Sequence, residues 1–372
     1  MSITANISKQ LEQSYSYIRS CQLSNGAILW FKNGKLDPWD HCEALMALSI
    51  AKDFEASLRA FDWLQDNQNS NGTWYAAYVF ETEQTNKLGT NAPVQASTKP
   101  PAQTNKPTEK DLNKIETNFV AYPATALWHY WLCSNDKNHV EKYWPTIERA
   151  INYVCLQQNQ EGDIQWACSE LEALPNDALI TACSSILRSL ECAIKLSHLV
   201  DQQNKHWQQA YQKLKTCLRN KPWRFDRSWP SKDRFSMDWF YPVLSGALNQ
   251  EEAQLRLKKD WKKFVEPGLG CRCVSDEPWM TVAESCELVI ALVAAGRTQE
   301  AEAMFGDLLK WQDTDGGFWT GYQYANQNIW PLEKPSWTAA AIILAADALW
   351  QLSPAHTLFT QTEAKTSPVK ES

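Results

Sequence analysis

The chain has 372 residues and a formal net charge of −7, with 44% hydrophobic and 21% charged residues. This acidic balance, without a block of Lys or Arg, excludes a nucleic-acid-binding protein. The longest apolar runs are too short to span a bilayer, so peripheral contact is the membrane association left open. Eleven cysteines, most of them single within helical stretches, and an N-terminus without a secretory signal predict a reduced, cytoplasmic protein.

Apolar residues recur with the helical period in twelve segments. In chain order these segments are 5–21, 38–51, 55–68, 118–135, 139–158, 177–199, 203–219, 237–249, 251–264, 278–295, 298–312 and 335–352. Short turns and long loops alternate between them, which is typical of helical hairpins arranged in a ring. The sequence therefore predicts an all-α fold, a single (α/α)6 toroid of residues 1–355, followed by a flexible tail of residues 356–372.

One long loop has a different composition from the rest of the chain. Residues 81–116 contain no aromatic residue and are rich in Thr, Asn, Gln, Pro and Lys. Such a segment buries too little apolar surface to offset the entropy lost on ordering. We expect a disordered insertion within the toroid and no domain boundary.

A short motif follows four of the predicted helices. It reads QNSNGTW from Gln68, QLSNGAI from Gln22, QNQEGDI from Gln158 and QDTDGGF from Gln312. The Gln ends a helix, the Gly provides a positive φ, and the large apolar residue folds back on the helix end. Four copies indicate that one structural unit is reused.

These motifs resemble the QW repeat of the terpenoid cyclase and protein prenyltransferase superfamily, whose members are α/α toroids. The segments DPWDH, SMDWFYP, CVSDEPWMTVAE and WTGYQ further resemble uncharacterised bacterial prenyltransferase-like proteins. The resemblance implies an aromatic cavity that holds an isoprenoid chain, with Asp-assisted acid or carbocation chemistry. The Asp-x-Asp-Asp motif of the cyclases is absent from this sequence, and so is the zinc-ligand spacing of the protein prenyltransferases. We predict no metal or cofactor and leave zinc and magnesium open.

Polar and aromatic residues cluster where the even-numbered helices begin. Because all the long loops lie at one end of such a toroid, these clusters are expected to surround one mouth of the cavity. Asp and Ser at a helix start are also ordinary capping residues, which is the competing interpretation. The candidate catalytic residues are Asp40, His41, Asp238 and Asp276. The candidate substrate-binding residues are Trp39, Glu43, Arg227, Arg234, Trp239, Tyr241, Arg272, Trp279, Glu284, Trp319 and Tyr322.

Each group of candidates has a chemical reason. His41 next to Asp40 forms a possible general acid–base pair, and Asp238 is a carboxylate in an apolar run. Arginines suit a diphosphate or another anion, and aromatic faces suit a cation. Glu284 shares a helix face with Glu287.

Three functions are compatible with this pattern. The first is the isoprenoid enzyme described above. The second is a carbohydrate-active α/α-barrel enzyme, such as a hydrolase, lyase or epimerase, that uses paired carboxylates such as Asp40 and Asp238, with Trp stacking on sugar faces. The third is a non-catalytic binding module. The expected partner is a small isoprenoid or glycan, and no oligomeric state is predicted.

Overall fold

Twelve α-helices lie in the residues that the computed structural model describes, which are 4–80, 113–169 and 171–361. The helices are α1 (Ala5–Ser20), α2 (Pro38–Ile50), α3 (Phe54–Asp66), α4 (Thr117–Ser134), α5 (Lys137–Leu156), α6 (Ile180–Leu199), α7 (Lys205–Asn220), α8 (Ser236–Leu244), α9 (Gln250–Phe264), α10 (Val282–Ala294), α11 (Thr298–Leu308) and α12 (Ser336–Trp350). The predicted (α/α)6 toroid is confirmed.

The even-numbered helices form an inner ring. Each packs against the next in chain order, and α12 packs against α2 to close the ring. Helices α2 and α12 are buried along nearly their whole length, as expected for elements that are apolar all round. The odd-numbered helices bury one face and form the outer ring. All inner helices begin at the end of the toroid that carries the long loops, which we call the long-loop end.

The repeated motif joins neighbouring outer helices. In each copy the Gln Nε2 donates to the Gly carbonyl four residues later and to a backbone carbonyl on the next outer helix, at 2.8–3.3 Å. For Gln68 these acceptors are Gly72 and Thr146 of α5. A Cβ at Gly72 would lie 2.7 Å from the Arg149 carbonyl oxygen, and the φ of Gly72 is +90°. The motif therefore links neighbouring outer helices and helps to close the helical ring.

Small sheets in the long loops were not expected from the sequence. Strands β1 (Lys114–Glu116) and β2 (Ala167–Ser169) form an antiparallel pair. A second antiparallel sheet contains, in order, β3 (Val265–Glu266), β4 (Gly270–Arg272), β5 (Trp279–Thr281), β6 (Gly321–Gln323) and β7 (Asn328–Ile329). Helix α10 starts at Val282, later than the predicted 278, because β5 is recruited into this sheet.

The predicted insertion and tail lie mostly outside the described residues, which omit 81–112 and 362–372. Within the predicted insertion, residues 114–116 are ordered as β1. All eleven cysteines are free thiols. None of the described helices combines the length and the apolar character needed to cross a membrane.

Candidate active site

The inner helices present their side chains to the axis of the toroid in layers. The sixth residues of these helices, in chain order, are Glu43, Tyr122, Ser185, Tyr241, Glu287 and Ala341, and all six line one narrow axial cavity. Residues three apart share a helix face. The third residues of the same helices therefore form a second layer nearer the long-loop end, composed of Asp40, Phe119, Ala182, Asp238, Glu284 and Thr338.

Two buried carboxyl groups occupy the sixth-residue layer. Glu43 Oε1 accepts hydrogen bonds from Trp39 Nε1 at 2.8 Å and from the Tyr122 hydroxyl at 3.3 Å. Glu287 accepts a hydrogen bond from the Tyr241 hydroxyl. Burial raises the pKa of Glu43 to about 7, and burial together with nearby Glu43 raises the pKa of Glu287 well above its usual range. These two carboxyl groups therefore keep protons at pH values where exposed glutamates are ionised.

An aromatic stack fills one side of the axis. The Trp39 ring lies on Tyr122, with centroids 4.6 Å apart, and contacts Tyr241 at 5.7 Å. These residues belong to α2, α4 and α8, so the stack reaches across the ring of helices. Helix α12, which lies next to α2 in the ring, contributes Thr338 and Ala341, and α6 contributes Ala182 and Ser185. Side chains are therefore small along α12, between the carboxyl groups of α2 and α10, and we call this stretch of the axis the open side.

Asp40 is the carboxyl group of α2 nearest the long-loop end. Its neighbour Asp37 caps the helix, since Asp37 Oδ1 accepts from the Asp40 backbone N–H at 2.9 Å and Oδ2 accepts from Trp30 Nε1 at 2.7 Å. Burial raises the pKa of Asp40 well above its usual range, and the charges of Asp37 and Glu43 add to this effect. Asp40 is thus a carboxylic acid that retains a proton to unusually high pH, as a general acid requires.

Asp238 occupies the third position of α8. Thr181 Oγ1 donates to Asp238 Oδ1 at 2.6 Å, while the buried Oδ2 has no hydrogen-bond partner among the described residues. Burial raises the pKa of Asp238 to about 6. Pro242 lacks the N–H that would bond to the Asp238 carbonyl, and Arg256 of α9 supplies the donor at 2.8 Å. The outer ring therefore holds the first turn of α8 in place.

Two of the four predicted catalytic residues lie away from the axis. His41 is buried with both ring nitrogens bonded to backbone: Nδ1 accepts from Ile28 N–H at 3.1 Å, and Nε2 lies 3.0 Å from the Ala60 carbonyl oxygen. Burial lowers its pKa to about 4. Asp276 is exposed and paired with Arg234 at 2.7 Å, which lowers its pKa. His41 is corrected to a core residue and Asp276 to a surface ion-pair residue.

The predicted arginines are paired within the long loops. Arg227 binds Asp163 and Asp177, Arg234 binds Asp276, and Arg272 binds Glu266. None of the three lines the axial cavity formed by the described residues. All three are paired with carboxylates of the loops, and Asp163 is shared by Arg224 and Arg227, so these arginines are not free for the expected anion.

Several aromatic residues predicted to bind substrate instead pack against other side chains of the loops and the core. Trp239 stacks on Phe264 and donates to the Arg256 carbonyl, so it faces the outer ring. The remaining contacts are Trp279 with Trp330, Tyr322 with Trp311, and Lys334 over Trp319. Of the predicted substrate-binding residues, five belong to the first two turns of the inner helices: Trp39, Glu43, Trp239, Tyr241 and Glu284.

Sequence reasoning missed Tyr122, Glu287 and Thr338 as candidate site residues. Tyr122 lies in an aromatic helical stretch that is typical of a core helix, and the sequence around Glu287 shows only the helix face that it shares with Glu284. Counting three and six residues from the observed helix starts finds all three, but the predicted starts at 118, 278 and 335 differ from the observed ones by one to four residues. Within the described ranges, no three His, Cys, Asp or Glu residues are grouped as metal ligands.

Comparison with known proteins identifies a relative along most of the chain. The MMP endo-(1,4)-3-O-methyl-alpha-D-mannosidase of Mycolicibacterium hassiacum is 38% identical over 351 residues, which cover 94% of this chain and 89% of the relative. No protein-family model matches the chain.

Solved structures of sugar-processing enzymes share the fold. A glycosidase in complex with glucose has a TM-score of 0.69 at 12% identity and covers 95% of this chain and 100% of its own. A D-mannose isomerase has a TM-score of 0.64 at 11% identity, with 94% and 100% coverage. A sugar epimerase from a ruminal bacterium has a TM-score of 0.60 at 12% identity, with 91% and 98% coverage.

The expected terpenoid cyclase or prenyltransferase membership, and with it an isoprenoid substrate, is wrong. It is overturned by the mannosidase relative. The repeat that suggested it bonds to backbone between outer helices and serves ring closure, so it carries no information about the substrate. The alternative prediction of a carbohydrate-active enzyme is the one that the relative supports. This chain is an enzyme that belongs to the family of the MMP endo-(1,4)-3-O-methyl-alpha-D-mannosidase.

Proposed function

We propose that this enzyme is an endo-acting glycoside hydrolase that cleaves (1,4)-linked chains of 3-O-methyl-α-D-mannose. The observation that carries the proposal is that Asp40, Asp238 and Glu284 are each the third residue of an inner helix, one turn before the sixth residues that line the axial cavity. Glycoside hydrolysis needs two such groups, one to protonate the leaving oxygen and one to activate water or attack the sugar. The name of the relative supplies the substrate class.

Asp40 is the proposed general acid. Its pKa is raised by burial and by Asp37, whose two oxygens are fixed by a backbone N–H and by an indole N–H. Asp40 donates its proton to the glycosidic oxygen as the C1–O bond breaks. The products at this step are a free hydroxyl on the leaving chain and an ionised Asp40.

Glu284 is the proposed general base. Glu284 lies on α10 and Asp40 lies on α2, and α12 with its small side chains lies between these two helices. A sugar ring bound in the open side of the axis would therefore lie between the two carboxyl groups. Glu284 accepts a proton from water while the water oxygen bonds to C1. Helix α12 separates α2 from α10 in the ring, and we propose the inverting mechanism, in which the water lies between the two carboxyl groups. Proton exchange with solvent then restores both carboxyl groups.

Asp238 is the proposed sugar-hydroxyl ligand. Its Oδ2 is buried and has no partner among the described residues, while Oδ1 is held by Thr181. A buried polar atom without a partner is costly, and a hydroxyl donor would relieve that cost. This role predicts a substitution effect on KM larger than the effect on kcat.

The test is hydrolysis of a (1,4)-linked 3-O-methyl-α-mannan, followed by reducing-end release and by NMR of the first anomer formed. Asp40→Asn and Glu284→Gln should each lower kcat by about 10²–10⁴-fold. Activity of the wild type should fall as pH rises through the pKa of Asp40, since the acid must be protonated.

Asp276→Asn is the matched control, because Asp276 is an exposed partner of Arg234. Its kcat should stay near that of the wild type. Full activity of the Asp40→Asn variant would show that Asp40 is not the general acid. Retention of configuration at C1 would show that Glu284 does not act as the general base. No hydrolysis by the wild type would contradict the proposed function itself.

A further inference from the structure

Exposed apolar side chains concentrate at the long-loop end of the toroid. Among the described residues, seven large apolar side chains are exposed: Val79, Leu156, Leu171, Trp223, Leu255, Trp330 and Leu332. Six of these lie in long loops or at the end of an outer helix that enters one, and Leu255, within α9, is the exception. Single exposed apolar residues are normal on a protein surface, whereas a concentration of them at one end is typical of a binding surface for a ligand or partner.

Two of the six lie two residues apart in the loop between β7 and α12. Trp330 is 47% exposed and Leu332 is 77% exposed. The Trp330 ring contacts Trp279 edge to face, with centroids 5.0 Å apart, and Trp279 Nε1 donates to the Trp330 carbonyl at 2.8 Å. We call Trp279, Trp330 and Leu332 the apolar rim.

The residues of the apolar rim lie in the segments that lead into two inner helices of the candidate active site. Trp279 begins β5, which runs directly into α10 and places Glu284 five residues later. Leu332 lies shortly before α12, which contributes Thr338 and Ala341 to the open side of the axis. Trp279 is fixed by its place in the sheet of β3–β7, and its hydrogen bond to the Trp330 carbonyl fixes the loop between β7 and α12. We therefore expect a substrate chain that extends from the site past the starts of α10 and α12 to contact the apolar rim.

We infer that the apolar rim is a sugar-binding subsite that recognises the O-methyl groups of the substrate chain. The inference rests on the proposed function and adds the residues that distinguish a methylated from an unmethylated sugar. Aromatic faces stack on the C–H faces of sugars, whereas a methyl ether needs an additional apolar contact, which exposed Leu332 and the Trp330 edge provide. Removing one methyl group from water is worth about a four-fold change in affinity, which corresponds to about 0.8 kcal/mol.

The experiment compares kcat/KM for (1,4)-linked α-mannose oligosaccharides with and without 3-O-methyl groups. The variants are Trp330→Ala, Leu332→Ala and the double variant, and Leu255→Ala is the control for loss of an exposed apolar side chain far from the loops. The preference for the methylated substrate should fall about four-fold for each methyl contact removed. The Leu255→Ala variant should keep the wild-type preference. The thermal midpoints of all variants establish that they are folded.

The outcomes separate the inference from the proposed function. An unchanged methyl preference in the double variant, with hydrolysis intact, would overturn the inference and leave the proposed function standing. A wild type that hydrolyses neither substrate would overturn both. Sedimentation velocity tests whether a second copy of the chain covers the apolar rim instead of a sugar. If the wild type self-associates and the double variant does not, the apolar rim is a contact between copies and the inference fails.

Discussion

Replacing Glu43 by Gln should stabilise the protein at neutral and alkaline pH but not at acidic pH. In the folded protein burial raises the pKa of Glu43 from 4.5 to about 7. Between those pH values the folded state holds a proton that the unfolded state has released, so stability falls as pH rises. A shift of this size corresponds to about 3 kcal/mol lost by pH 8, since each pKa unit is worth about 1.36 kcal/mol.

The introduced amide is neutral at every pH and still offers an oxygen to Trp39 and Tyr122, so the Glu43→Gln variant avoids this loss. It also removes one charge that raises the pKa of Glu287. For 372 residues, an unfolding entropy of about 2.1 cal/mol/K per residue converts 3 kcal/mol into about 4 °C.

The assay is thermal unfolding of wild type and Glu43→Gln at pH 4 and pH 8, followed by circular dichroism. Glu141→Gln is the control, because Glu141 forms an exposed ion pair with Lys137 on an outer helix. The Tm difference between Glu43→Gln and wild type should grow by about 4 °C from pH 4 to pH 8. An equal difference at both pH values would show that burial of Glu43 does not govern its titration.

Two further substitutions test the ring and its support of the site. Gln68→Ala removes hydrogen bonds to Gly72 and Thr146 and should cost about 2 kcal/mol in urea unfolding; a loss below about 0.5 kcal/mol would contradict its bridging role. Arg256→Met leaves the Asp238 carbonyl without its donor and should raise KM, with partial rescue by Arg256→Lys. An unchanged KM in Arg256→Met would show that the outer ring does not position Asp238.

The sequence contained most of the information needed for the fold. Helical periodicity and the alternation of short and long connections are local signals, and they predicted twelve helices in six hairpins. The strands were missed because two or three residues are too few to show an alternating pattern. Trp279–Thr281, for example, read as the start of a helix and instead pair with β4 and β6.

The sequence reports the position of a candidate residue along a helix but not its tertiary partners. Asp40, Asp238 and Glu284 lie at inner-helix starts, and the toroid brings those starts together. Asp276 and His41 have the same sequence context, but an exposed arginine and two backbone groups hold them elsewhere. Such pairings depend on tertiary contacts that no local pattern reports.

The substrate class could not be inferred from the repeat. Gln68 and its three counterparts bond to backbone carbonyls of neighbouring outer helices, and that function is independent of what the cavity holds. The carboxyl groups of the inner helices were the better guide, because their density favours a polar ligand with many hydroxyls.

A crystal structure of the Asp40→Asn variant with a bound (1,4)-linked 3-O-methyl-α-mannose oligosaccharide would decide whether the opening is the catalytic centre. We expect the glycosidic oxygen of one linkage within about 2.6–3.2 Å of the side chain at position 40. The C1 atom of that linkage should face Glu284 across the open side along α12. An oligosaccharide bound at Asp276, or with no linkage between positions 40 and 284, would contradict the proposed chemistry.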